Sequence, residues 1–143
     1  IGEDDMRKQV QQLIAEKEWT RIYCDTEPRK DSFSNTISLA TCDASITGCE
    51  FLVARTGTMV MSAAQQSGRT VSVYAPVHIC IAYTSQLVYD IKDALQSVKD
   101  KYNGNIPSLV TFATGPSRTA DIEKTLVTGV HGPKEVYCFL VEA

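Results

Sequence analysis

The chain has 143 residues, 43% of them hydrophobic and 22% charged, which describes one globular domain over residues 1–143 that buries roughly two-thirds of its unfolded surface. Fourteen basic against seventeen acidic side chains give a net charge of −3, which argues against a non-specific nucleic-acid binder. No apolar run approaches the ~18 residues that span a bilayer and no basic-then-apolar leader precedes the first helix, so no membrane association is expected. The chain opens on Ile1 rather than Met, and we expect a fragment that has lost an N-terminal segment.

Met6, Val10, Leu13 and Ile14 recur at helical spacing among charged and amide side chains. They predict an amphipathic helix with Asp4 and Asp5 at its positive N-terminal end. Ile22-Tyr23-Cys24 reads as a short strand, followed by an exposed polar connection from Asp25 to Asn35. From residue 37 the character changes. Ile37 to Ala40, Phe51 to Ala54, Met59 to Ala63, Val71 to Ala75 and Val77 to Tyr83 are apolar runs of strand length. Between Ser32 and Tyr89 the only charges are Asp43, Glu50, Arg55 and Arg69. Continuous apolar runs without in–out alternation predict strands covered on both faces. Gly48, Gly57, Gly68 and Pro76 mark short turns between them. A helix follows with Leu87, Ile91, Leu95, Val98 and Tyr102 on one stripe, ended by Asn103-Gly104. Leu109 to Ala113 predicts a strand, Ala120 to Thr128 a short helix and Val136 to Val141 a last strand. This order gives an α/β layered domain with a mostly parallel or mixed sheet.

The five cysteines, Cys24, Cys42, Cys49, Cys80 and Cys138, are odd in number and widely spread. There is no Cys-x-x-Cys, and His78 and His131 lie far apart, so no metal site or iron–sulfur cluster is expected on this chain alone. Cys80 and Cys138 sit inside apolar runs, where a free thiol behaves as a small hydrophobe. Reduced thiols point to a cytoplasmic protein.

The richest chemistry lies in Ala113-Thr-Gly-Pro-Ser-Arg-Thr-Ala-Asp121. A strand runs into a loop with Gly115 and Pro116, and the loop is expected to open a helix whose start favours an anion. Ser117, Arg118 and Thr119 add two hydroxyls and a guanidinium suited to a phosphate or carboxylate. The alternative is structural: Thr119 as a helix N-cap, with Asp121 and Glu123 complementing the dipole in the first turn. Gly129-Val-His-Gly-Pro133 forms a second loop. There His131 can act as acid, base or hydrogen-bond donor, or simply bond the backbone of its own turn. Arg55-Thr-Gly-Thr58 is a hydroxyl-rich turn between two apolar strands, and a hairpin requires its glycine for geometry alone. His78, inside an apolar run, reads as a satisfied core histidine. The motifs of a dinucleotide-binding fold, a P-loop ATPase and the commonest hydrolases are absent.

Taken together, Ile46-Thr-Gly-Cys-Glu-Phe-Leu-Val-Ala-Arg-Thr-Gly-Thr58, Ala75-Pro-Val-His78, Gly115-Pro-Ser-Arg-Thr-Ala-Asp-Ile-Glu123 and Gly129-Val-His-Gly-Pro133 resemble the LUD domain, the family of lactate utilization protein C. The resemblance covers roughly residue 20 to the end, with the family's N-terminal helical region mostly missing. It implies a three-layer Rossmann-like sandwich, similar to ribose-phosphate isomerases, glucosamine-phosphate deaminases and CoA transferases. It also implies a role in oxidising L-lactate to pyruvate beside partner subunits that carry iron–sulfur clusters, with no cofactor bound by this chain.

On this basis a small anionic metabolite is expected at Gly115, Pro116, Ser117, Arg118 and Thr119, with Thr56, Gly57, Thr58 and Gly132 facing the same crevice. Asp121, Glu123 and His131 are the candidate catalytic or orienting groups. Alternatives are a stand-alone enzyme acting on a sugar phosphate or CoA ester, and a non-catalytic module that docks a partner. The family pattern usually carries an acidic residue where this chain has Arg55, an exchange expected to reverse the local field and shift neighbouring pKa values. The mixed charge pattern leaves the oligomeric state open.

Overall fold

The computed structural model describes residues 1–24, 33–35, 39–65, 75–116, 118–119, 127–128 and 132–143. Helix α1 spans Glu3–Glu16 and buries Met6 and Val10, with Glu3, Asp4 and Asp5 in its first turn. Strands β1 (Ile22–Tyr23), β2 (Ala44–Thr47), β5 (Val77–Tyr83) and β10 (Glu135–Val141) form a first sheet in the order β1-β2-β5-β10, parallel throughout. Strands β3 (Phe51–Val53), β4 (Thr58–Ser62), β6 (Leu87–Val88) and β7 (Val110–Ala113) form a second, in the order β6-β3-β4-β7. Here β3–β4 and β4–β7 are antiparallel and β3–β6 parallel. Helix α2 covers Ile91–Lys101. The two-residue strands β8 (Arg118–Thr119) and β9 (Val127–Thr128) pair antiparallel.

Strand β5 carries the packing. Alternate residues point to opposite faces of a sheet, and both of its faces are apolar. Val77, Ile79 and Ile81 join Met6 and Val10 of α1, together with Ile22, Ala44, Ile46 and Val141. On the other face, Cys80 and Ala82 meet Leu52, Met59 and Met61 of the second sheet. The far side of that sheet presents Val53 and Val60 to Ala94 and Val98 of α2. The described layers therefore run helix, sheet, sheet, helix. The α/β class and the mixed strand directions agree with the sequence. The strands divide between two sheets because the chain leaves the first one after Thr47 and returns as an antiparallel hairpin that covers its inner face.

Local expectations hold at α1, β1, β3, β4, β5, β7 and β10 and fail in four places. Leu87, expected on the helical stripe, lies in β6 beside Leu52. The helix starts later because the Asp90 carboxylate accepts from Ile91 N at 2.7 Å while Asp93 accepts from Asp90 N at 3.0 Å, a reciprocal cap. Leu39 to Thr41 form a 3-10 turn rather than the end of a strand, and Ala75 lies in a bend; positions 37–38 and 71–74 lie outside the described residues. Val127 and Thr128, the expected end of a helix from Ala120, are extended, and so are Arg118 and Thr119, expected in the loop before it. Three of these four residues are β-branched, and such side chains favour a strand over a helix.

Asp43 organises the entry to β1 and β2. Its Oδ2 accepts from Arg21 N at 2.9 Å, Thr20 N at 2.8 Å and Thr20 Oγ1 at 3.2 Å. The Arg21 and Thr20 amides hold its carboxyl below the usual range. Ile79, on the face of the first sheet that packs against α1, is fully buried. Replacing it by Ala is expected to lower stability by about 3 kcal/mol through lost burial and a residual cavity. Urea denaturation at unchanged m-value measures this; a loss below about 1 kcal/mol would show that β5 does not carry the core.

Candidate functional site

The β3–β4 hairpin turns through Ala54–Gly57, with Gly57 at φ +69, a left-handed conformation that favours glycine. Gly57 N closes the turn on Val53 O at 2.8 Å. Thr58 opens β4 and is 1% exposed. Its Oγ1 lies 2.6 Å from Thr56 Oγ1 and 2.6 Å from Thr114 Oγ1. Because β4 and β7 run antiparallel with Met59 opposite Ala113, the next pair outward is Thr58 and Thr114. Thr114 leads into Gly115, at φ +83, and half-buried Pro116. The hydroxyl-rich turn and the Gly-Pro loop thus meet at one end of the second sheet.

Two hydrogen bonds consume two of the three threonine hydroxyl hydrogens. Thr56 and Thr114 are both exposed while Thr58 is buried; with the buried hydroxyl donating to one neighbour and accepting from the other, one terminal hydroxyl keeps a proton to donate and the other an oxygen to accept. The chain can run in either direction.

Of the remaining expected site residues, the structure describes Arg118, Thr119, Gly132 and Arg55. Arg118 and Thr119 sit in β8, so the Gly115-Pro116 loop leads into a strand and the expected helix-dipole anion site is not at these two residues. Ser117, Asp121, Glu123 and His131 lie outside the described residues. Gly132 is half-buried ahead of β10 in the first sheet, whereas the threonines belong to the second. Arg55 donates to Asp90 Oδ2 at 2.8 Å, on the N-cap of α2. Its charge does affect a neighbour: the Ile91 amide and then Arg55 hold the Asp90 carboxyl below its ordinary value.

Two buried polar groups lie away from the threonine chain. His78 is 1% exposed, with Nε2 2.7 Å from Thr47 Oγ1. Burial lowers its pKa to about 4, so the imidazole is neutral, the core histidine expected from its apolar run. Glu50, which the sequence reading did not single out, is 2% exposed at the other end of β4. It accepts from Ser62 Oγ at 2.8 Å, from the Tyr102 hydroxyl at 2.5 Å and from Lys101 Nζ. Burial pushes its carboxyl up, but the hydrogen bonds from Lys101, Tyr102 and Ser62 outweigh this and hold it below its usual value. Its signal in sequence was its rarity, one of four charges in a long apolar region. Among the described residues, no group of three or more His, Cys, Asp or Glu side chains is placed to hold a metal ion, and no helix is long and apolar enough to cross a membrane.

Comparison with known proteins places this arrangement in context. The model of the LUD domain family matches residues 3–141. Lactate utilization protein C of Bacillus licheniformis is 38% identical over 99 residues, covering 68% of this chain and 41% of that protein. The protein of the same name in Bacillus subtilis is 38% identical over 98 residues, 67% of this chain and 41% of that one. An uncharacterized protein of Neisseria meningitidis is 38% identical over 94 residues, 66% of this chain and 40% of its length. The match thus spans about two-fifths of each relative. The crystal structure of a DUF162 family protein from Deinococcus radiodurans superposes with a TM-score of 0.69 at 18% identity, over 99% of this chain and 85% of that one.

The buried groups set the acid stability. Unfolded His78 takes a proton below its ordinary pKa of 6.5, while the folded protein does not until about 4; stability therefore falls as pH drops across that window. Between pH 7 and 5 the expected loss from this group is about 2 kcal/mol, and His78→Gln should remove most of it in urea titrations at the two pH values. Glu50 works in a lower window. Its folded pKa is depressed, so its contribution is complete above the ordinary 4.5 and is lost as pH falls through the folded value. Glu50→Gln at pH 7 is expected to cost about 2 kcal/mol by breaking the charge-assisted bonds to Lys101 and Tyr102. An unchanged denaturation midpoint would contradict that role.

Proposed function

The chain belongs to the LUD domain family, and from that premise we propose that it serves L-lactate utilization as a cytoplasmic component that binds a small anionic metabolite. In this reading the oxidation of L-lactate to pyruvate runs with partner proteins that carry the iron–sulfur clusters. The names of its relatives in two Bacillus species support the process. The binding surface is the Thr56-Gly57-Thr58 turn with the Gly115-Pro116 loop and the start of β8 at Arg118 and Thr119.

The observation that carries the reading is the reversible threonine chain. L-lactate and pyruvate share a carboxylate and differ at C2, where one has a hydroxyl and the other a carbonyl oxygen. A surface hydroxyl at the end of a chain of three can accept from the first or donate to the second by reversing the chain's direction. The carboxylate calls for a guanidinium, whose planar fork matches two oxygens. Arg118 is the basic residue that follows the Gly-Pro loop. Asp121 and His131 orient the ligand, with Glu123 as a further acid–base candidate. Arg55, next to Thr56 in this turn, is paired with Asp90.

The test is thermal denaturation of the purified chain with L-lactate, pyruvate, sugar phosphates, CoA and acyl-CoAs, repeated on Arg118→Ala. At about one hundred times its Kd a ligand stabilises by about 2.7 kcal/mol, which raises Tm by several degrees. We expect a shift with lactate or pyruvate that disappears in Arg118→Ala while the unliganded Tm stays within a few degrees of wild type. A shift with sugar phosphates or acyl-CoAs alone would overturn the substrate assignment. A shift that survives Arg118→Ala would overturn the site.

A further inference from the structure

The seam between the two sheets gathers three of the chain's five free cysteines. Cys80, in the middle of β5, is fully buried, and Cys49, between β2 and β3, packs in the same apolar cluster. Cys138 on β10 is the direct cross-strand partner of Cys80. Residues paired in this way project to the same face, and neighbouring strands lie about 4.8 Å apart. That spacing falls within the roughly 4.4–6.8 Å Cα separation that a disulfide accepts. The Cys80 thiol is within hydrogen-bonding reach of both other sulfurs. The two ends of the pair differ in access: among the described residues β10 is the edge of its sheet and Cys138 is exposed, whereas Cys80 is sealed beneath the second sheet.

This asymmetry divides the labour of a two-step oxidation. An accessible thiol that accepts a hydrogen bond is the one an oxidant meets, and a sequestered neighbour is the one that can only react from inside. The Cys80 hydrogen bond lowers the Cys138 thiol, while the bonds to Cys138 and Cys49, together with burial, push Cys80 up.

We propose that Cys138 is a peroxide-reactive thiol that Cys80 resolves into an intramolecular disulfide. The Cys138 thiolate attacks one oxygen of hydrogen peroxide; the O–O bond breaks, and the departing hydroxide takes a proton to become water. Cys138 is now a sulfenic acid, oxidised by two electrons. Cys80 sulfur attacks it, the S–S bond forms, and the S–O bond breaks. Hydroxide leaves with the proton that Cys80 releases. The sum is two thiols and one peroxide giving one disulfide and two waters. The bridge fastens edge strand β10 to β5 and replaces an exposed thiol with a closed one.

The experiment treats the folded chain with hydrogen peroxide, blocks remaining thiols with N-ethylmaleimide and maps peptides by mass spectrometry. Wild type is expected to lose two of its five thiols and to yield a Cys80–Cys138 cross-linked peptide. Cys138→Ser should leave Cys80 reduced. Cys80→Ala should accumulate a Cys138 sulfenic acid that dimedone captures, and Cys49→Ser should bridge as wild type does. Cys138→Ser lies on the exposed edge strand, which keeps the test independent of whether the buried Cys80→Ala variant folds. Retention of all five thiols under peroxide that oxidises free cysteine would overturn the proposal. So would a Cys49–Cys80 bridge in place of the Cys80–Cys138 one.

Discussion

A strand covered on both faces must be apolar on both, and β5 meets that demand from Val77 to Ala82 with one exception, His78. The rest of the molecule follows from how each face is closed. Helix α1 supplies Met6 and Val10 to one side. The other side is closed by a second sheet, whose hairpin brings Leu52, Met59 and Met61 down onto Cys80 and Ala82. The single imidazole in this stack stays neutral and takes its partner from Thr47 on the adjacent strand. A charged side chain at that position would lack both water and a counter-ion. The same closure that buries Cys80 leaves Cys138 open, because nothing pairs beyond β10 among the described residues.

The second sheet is held from outside by a helix pinned at both ends. At the start of α2, Asp90 caps the backbone and receives Arg55 from the hairpin turn. At its end, Lys101 and the adjoining Tyr102 converge on Glu50. Negative charge at the N-terminus and positive charge at the C-terminus both complement the helix dipole. The Arg55 pair is largely exposed and contributes little by itself. Glu50 is different. It is buried, so its partners are obligatory, since a lone carboxylate there would cost far more than its bonds return. Strand β4 links the two functional ends, with Thr58 at the hydroxyl chain and Ser62 at the carboxylate.

Periodicity in the sequence located most of the elements, and its failures have physical causes. Leu87 matched the helical stripe because residues four apart share a face of a helix, yet the Asp90 cap fixes the helix start and frees Leu87 to pair with Leu52. The sequence from Arg118 to Thr128 predicts a loop followed by a helix, whereas its described ends, rich in β-branched residues, form an antiparallel pair. The turn at Thr56-Gly57-Thr58 was legible as hydroxyl-rich. Its partner Thr114 lies 56 residues from Thr58, and no local pattern announces a contact at that separation. Arg55 stood out as a departure from the family pattern, but only the structure pairs it with Asp90. Glu50 and its three donors were invisible as a group, since Ser62, Lys101 and Tyr102 come from two other elements.

The central functional claim is that the threonine chain and the Gly-Pro loop form one ligand surface. The most direct measurement is a titration of the 15N-labelled chain with L-lactate and with pyruvate, followed by amide chemical shifts. The account predicts saturable changes at Thr56, Thr58, Thr114 and Gly115, with the two ligands moving the same amides to different extents as the hydroxyl chain changes direction. Saturable changes confined to other parts of the molecule, or none with either ligand, would contradict it.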